Sequence, residues 1–170
     1  MRRALLLLPV ALAAGIFHEG FDAWFQQDDF AHLKLAAATP VADLAELAVT
    51  PVAQGTFRPL SERLFYWAIY RCCELDAFPA RLFAFGVQSS NLILLGLLLR
   101  RLTGSPFAAA CGALFWAVNP LLTVPMTWIA ATNQIMAALC FLSAAYCFIR
   151  YCDTTRRRWL LLSWTAFILC

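Results

Sequence analysis

The sequence predicts an all-α, polytopic transmembrane helical bundle with a long first extracytoplasmic loop that bears short amphipathic helices. Three observations predict it. Hydrophobic residues fill 62% of the 170 positions and charged residues only 14%, with a mean hydropathy of +0.71, against about 45–50% apolar and about 25% charged in a soluble domain. The apolar residues fall in blocks long enough to cross a hydrocarbon core of about 30 Å, which takes about 20 helical residues. The charges are also sorted: nine of the ten acids lie between Glu19 and Asp76, whereas arginines gather at block edges as Arg2-Arg3, Arg100-Arg101 and Arg150 with Arg156-Arg157-Arg158.

The first apolar block follows Arg2-Arg3. It reads either as a cleavable signal peptide, with small residues around 11–15, or as a retained first helix extended by the aromatic Phe21, Trp24 and Phe25 to about residue 25. Retention is the expectation, because the chain beyond it is polytopic. Residues 26–78 form the outer loop, with Thr39-Pro40 and Thr50-Pro51 junctions and short helices over 43–49 and 60–75. The second carries Glu62, Arg63, Arg71 and Glu74 around a core too short to span, so it is expected to lie in the interface.

A spanning helix is expected over about 80–99. From Pro106 to Ile149 no charge appears, a run about twice the hydrocarbon thickness. It has to turn back, and Asn119-Pro120 with Pro125 marks the place, since proline removes a helical hydrogen bond and restricts the residue before it. Helices over about 105–122 and 127–149 follow from that break, and a last one over about 158–170. The whole is read as one membrane domain. Because it ends in mid-helix at Cys170, it is expected to be a fragment of a larger protein.

Positive-inside logic tests this map. With Arg2-Arg3 cytoplasmic, Arg100-Arg101 and the Arg150–Arg158 cluster fall on the same side, and only Lys34, Arg58, Arg63, Arg71 and Arg81 fall outside. The arginines form short flanking clusters, not a stripe interleaved with exposed aromatics, which argues against a nucleic-acid partner. Seven cysteines include no CxxC and no Cys/His set at zinc spacing, so they are read as structural.

The candidate chemistry sits in WFQQDDF, where Asp28-Asp29 follows the first apolar block. One reading is a solvated acidic pair at a helix end. The other is a site, because Arg58-Pro59 shares the outer segment and Asn119, Thr132, Asn133 and Gln134 lie near the outer ends of later helices. A carboxylate there can act as a general base or hold a divalent cation, with oxygen ligands favouring magnesium or manganese, and an arginine can pair with a phosphate. His32 follows Asp28 by four positions, a spacing that in a helix would let it orient the acid. Gln88, Ser89, Ser90 and Asn91 are read as interhelical packing, and the tryptophans as interface anchors.

WFQQDDF, the FRPL element with Arg58 and Pro59, and the NP…W…NQ block (Asn119-Pro120, Trp128, Asn133-Gln134) together resemble the polytopic GT-C glycosyltransferases, in particular the protein O-mannosyltransferase-like branch that includes membrane proteins with tetratricopeptide tails. There the elements look like DD, YRPL and HP…W…R.D; here Phe57 replaces the tyrosine, Asn119 the histidine, Thr132 the arginine and Gln134 the acid. The resemblance implies a GT-C-like bundle, a catalytic acid at Asp28 or Asp29, and substrate binding by Arg58, Asn119, Trp128, Asn133 and Gln134. It also implies partners: the lipid bilayer, a polyprenyl-phosphate-linked sugar and an acceptor protein or glycan, in a multi-pass protein expected in a bacterial plasma membrane. The alternative is a non-catalytic polytopic protein or pseudoenzyme scaffold.

Overall fold

The computed structural model describes residues 7–49 and 58–169, so the Thr50-Pro51 junction and Phe57 lie outside the described residues. Every regular element among the described residues is helical. Two helices, Phe78–Thr103 and Ile129–Thr154, are long and apolar enough to cross a membrane. The pair Pro106–Ala117 and Pro120–Thr127, bent by 53°, makes a third if it counts as one span.

Helix α1, Leu8–Ile16, stops well short of Phe25 and gives way to a 3-10 turn over His18–Phe21. Packing at Gly20 accounts for the early stop: a Cβ there would sit 2.5 Å from the Met126 carbonyl oxygen, so the turn docks backbone to backbone on a later helix. Next come α2 (Asp28–Ala38) and α3 (Leu44–Val49), the latter behind a 3-10 turn at Val41–Asp43. A wide π-helical turn over Pro59–Leu64 then runs straight into α4, Phe65–Cys73.

Helix α5, Phe78–Thr103, ends on Gly104, whose φ of +69° suits glycine and lets its N–H bond the Arg100 carbonyl. Ser105 then caps α6 (Pro106–Ala117) by accepting from the Ala108 N–H, with proline in the first turn. The charge-free run breaks at Asn119-Pro120, where the Asn119 side chain accepts from the Leu121 N–H at 3.0 Å. Helix α7 (Thr123–Thr127), extended Trp128 and a 3-10 turn at Ile129–Ala131 lead into α8, Thr132–Thr154. Left-handed Thr155 separates it from α9, Arg157–Ile168.

Two apolar clusters hold these pieces. Ala13, Phe17, Phe85, Ala117, Met126 and Ile135 join α1, α5, α6, α7 and α8. Phe25, Leu33, Phe65, Tyr66, Ala80 and Ile129 fold α2 and α4 onto the start of α5 and the entry to α8. An ion pair between Arg101 and Asp153 ties the ends of α5 and α8 together, so Arg100-Arg101 and the Arg150–Arg158 cluster share one end of the bundle, away from the segment that carries Asp28 and Asp29. Between these ends Asn91 donates to the Ile135 carbonyl at 2.9 Å, the interhelical role read from its sequence position. Much large apolar surface faces outward, including Phe107, Phe115, Leu121, Leu161 and Phe167. A surface of that kind suits hydrocarbon rather than water.

Candidate active site

The structure divides the acidic pair. Asp28 is exposed, while Asp29 is fully buried. Both lie in the first turn of α2, where carboxylates favour the helix dipole. The residue before them, Gln27, takes φ 43° and ψ −111°, a strained conformation for a side-chain-bearing residue. Two contacts hold that kink. The Asp29 Oδ2 accepts from the Gln26 N–H at 2.8 Å, and Gln26 Nε2 donates to the Thr127 carbonyl at 3.2 Å.

The other Asp29 oxygen, Oδ1, accepts from the Tyr66 hydroxyl and from the Ala130 N–H at 2.8 Å. Burial first, and then the hydrogen bond to Asp29, push the Tyr66 pKa far above its ordinary value, so the phenol stays a neutral donor. Asp29 thereby joins α2, α4 and the entry to α8 at one point. Its lone pairs are largely committed, and among the described residues no group of three His, Cys, Asp or Glu side chains is placed to hold a metal. Asp29, its oxygens engaged by these donors, is therefore not available to a magnesium or manganese ion.

Arg81, also fully buried, completes the knot. Its Nε and Nη2 donate to the Ala23 and Trp24 carbonyls, each at 2.8 Å, pinning the chain ahead of the acidic pair to the start of α5. Replacing Arg81 by Met should cost about 2–4 kcal/mol, since two carbonyls lose their donors. Thermal unfolding in detergent measures it; a loss below about 1 kcal/mol would show that the carbonyls find other partners.

His32 lies one turn after Asp28 in α2, and its ring stacks on Tyr66 at 4.8 Å between centroids. Burial lowers its pKa below 6.5, with Glu62 pulling it upward more weakly. The unfolded chain therefore binds this proton more readily than the folded one, so stability is lost as pH falls from about 6.5 through the lowered folded value. The difference in melting temperature between wild type and His32→Gln should shrink as pH drops from 8 to 5. Parallel profiles would contradict it.

Arg58, Asn133 and Gln134 meet. Together with Pro59, Leu60, Ser61, Met136, Ala137, Cys140, Ile168 and Leu169 they line one groove of about 480 Å³. Arg58 forms a 2.8 Å ion pair with Glu62, its own side chain half exposed and that of Glu62 buried. The two are four positions apart, the spacing at which side chains of a helical turn face each other. Asp28, Asp29, Asn119 and Trp128 are not among the lining residues: the acidic pair lies in the first turn of α2, Asn119 caps its own turn, and Trp128 leads into the turn that carries Ala130. Thr132 is buried, and among the described residues its hydroxyl has no hydrogen-bond partner.

Sequence reasoning gave no role to Tyr66 or Arg81. A signal existed only for Arg81, a lone cation at the edge of an apolar block. With this geometry in view, no family model, curated protein or solved structure matches the chain.

Proposed function

We propose that the chain is the membrane part of a GT-C-type glycosyltransferase, moving a sugar from a polyprenyl-phosphate donor to a hydroxyl of an acceptor protein or glycan on the extracytoplasmic side of a bacterial plasma membrane. The observation that carries this reading is the groove that gathers Arg58, Asn133 and Gln134, three residues separated by up to 76 positions in sequence. Its polar wall offers a guanidinium and two amides, while Met136, Ala137, Ile168 and Leu169 offer an apolar bed for a lipid.

In this reading Asp28, exposed and free of the knot around Asp29, takes the proton of the acceptor hydroxyl. The acceptor oxygen then bonds to the anomeric carbon, the bond from that carbon to the phosphate oxygen breaks, and the polyprenyl phosphate leaves with its charge met by Arg58. Base assistance of this kind is worth about 10²–10⁴-fold. Asp29 holds Asp28 in place and stays out of the reaction. The commitment of Asp29 and the pairing of Arg58 with Glu62 favour one rival, a non-catalytic scaffold whose polar end is purely structural.

Substituting Arg58 by Gln decides between them. Loss of a charged hydrogen bond to phosphate, worth about 1.5–3 kcal/mol, should weaken binding of a polyprenyl-phosphate sugar by the reconstituted protein about 10–100-fold. Equal donor binding by the variant and the wild type would favour the scaffold.

A further inference from the structure

We propose that the arginine-rich end of the bundle seats the headgroup of an anionic phospholipid, with Arg150, Arg158 and Trp159 as the seat. This end lies opposite the groove and does not depend on sugar transfer. The sequence crowds positive charge at Arg100-Arg101, Arg150 and Arg156-Arg157-Arg158, and the fold brings these together. Left-handed Thr155, its N–H bonded to the Tyr151 carbonyl at 2.7 Å, turns the chain so that Arg156, Arg157 and Arg158 return beside the end of α8. The Arg101–Asp153 pair brings in the end of α5. Asp153 is the only acid in residues 77–169. It is engaged by Arg101, so among the described residues Arg100, Arg150, Arg156, Arg157 and Arg158 carry charge that no further carboxylate at this end offsets.

Trp159 distinguishes one spot within that field. The guanidinium carbons of Arg150 and Arg158 lie 5.2 and 5.4 Å from its ring centroid. A guanidinium held against an aromatic face keeps its in-plane N–H groups for a second partner, and it matches the oxygens of a phosphate two at a time. Tryptophan itself favours the headgroup level of a bilayer. Two such forks converging on one indole, at the end of two helices long enough to span, fit the phosphate of an anionic lipid in the adjoining leaflet.

The test is lipid retention by the full chain. The delipidated protein is offered equal amounts of phosphatidylglycerol and phosphatidylcholine with the same acyl chains, and bound lipid is read by native mass spectrometry. Wild type should prefer phosphatidylglycerol about tenfold or more, since each arginine near an anionic surface is worth about fivefold. R150Q/R158Q should bring the ratio close to one, whereas R156Q/R157Q, with the same loss of charge, should keep most of the preference. R150K/R158K, which keeps the charge, should fall between wild type and R150Q/R158Q. Equal retention of both lipids by wild type would overturn the proposal. So would equal losses in R150Q/R158Q and R156Q/R157Q, which would indicate a diffuse charge effect, or full preference in R150K/R158K.

Discussion

Replacing Asp29 by Leu should cost about 3–5 kcal/mol of stability, whereas the same change at the adjacent Asp28 should cost less than about 0.5 kcal/mol. The difference follows from burial and partners, not from the residue type. Removing the Asp29 carboxylate leaves the Tyr66 hydroxyl and the Ala130 N–H as buried donors with no acceptor, and the Gln26 N–H loses the contact that holds the strained Gln27. An unmet buried donor costs about 1–3 kcal/mol. Asp28 faces solvent, where most substitutions are nearly neutral. The milder Asp29→Asn keeps an oxygen for Tyr66 and Ala130 but turns an NH₂ toward the Gln26 N–H, and should cost about 1–3 kcal/mol. Tyr66→Phe combined with Asp29→Leu should lose less than the sum of the single changes, because each removes the same hydrogen bond. Thermal melts in detergent give all of these values; strict additivity would show that the Tyr66–Asp29 bond contributes nothing.

The second large effect separates chemistry from stability at the same pair. Asp28→Asn should leave the melting temperature of the protein within the range of a neutral surface change and lower sugar transfer by about 10²–10⁴-fold. Asp29→Asn should lower transfer only as far as it unfolds or loosens the protein. Lowering the temperature should restore activity to the Asp29 variant and leave the Asp28 variant inactive. Two neighbouring carboxylates would then have been given different tasks by their environment, with one locked between a phenol and backbone amides and the other open to an acceptor.

The sequence disclosed the parts of this architecture that depend on composition over long windows. The apolar runs behind α5 and α8 and the proline break between α6 and α8 follow from run length and from the missing amide hydrogen of proline. The sorting of charge to opposite ends follows from the order of arginines and acids, and the Arg101–Asp153 pair shows one end of it directly. The premature end of α1 was not legible, because Phe21, Trp24 and Phe25 continue the apolar pattern while the cause is a backbone approach between Gly20 and Met126. The candidate site divides in the same way. Arg58, Asn133 and Gln134 were picked out by residue type and order, and one groove gathers them. The burial of Asp29 was invisible: its partners are a tyrosine 37 positions away and a backbone N–H 101 positions away, and an amide hydrogen leaves no mark on a sequence. The capping role of Asn119, set by a local turn, could have been anticipated from the Asn-Pro pair.

The most direct test of the account is transfer of a labelled sugar from a polyprenyl-phosphate donor to an acceptor hydroxyl by the full-length protein in liposomes. Wild type, Asp28→Asn and Asp29→Asn are compared at a temperature where all three are folded. The account predicts transfer by wild type, substantial transfer by the Asp29 variant, and a loss of about 10²–10⁴-fold in the Asp28 variant. Wild-type transfer by the Asp28 variant would contradict it.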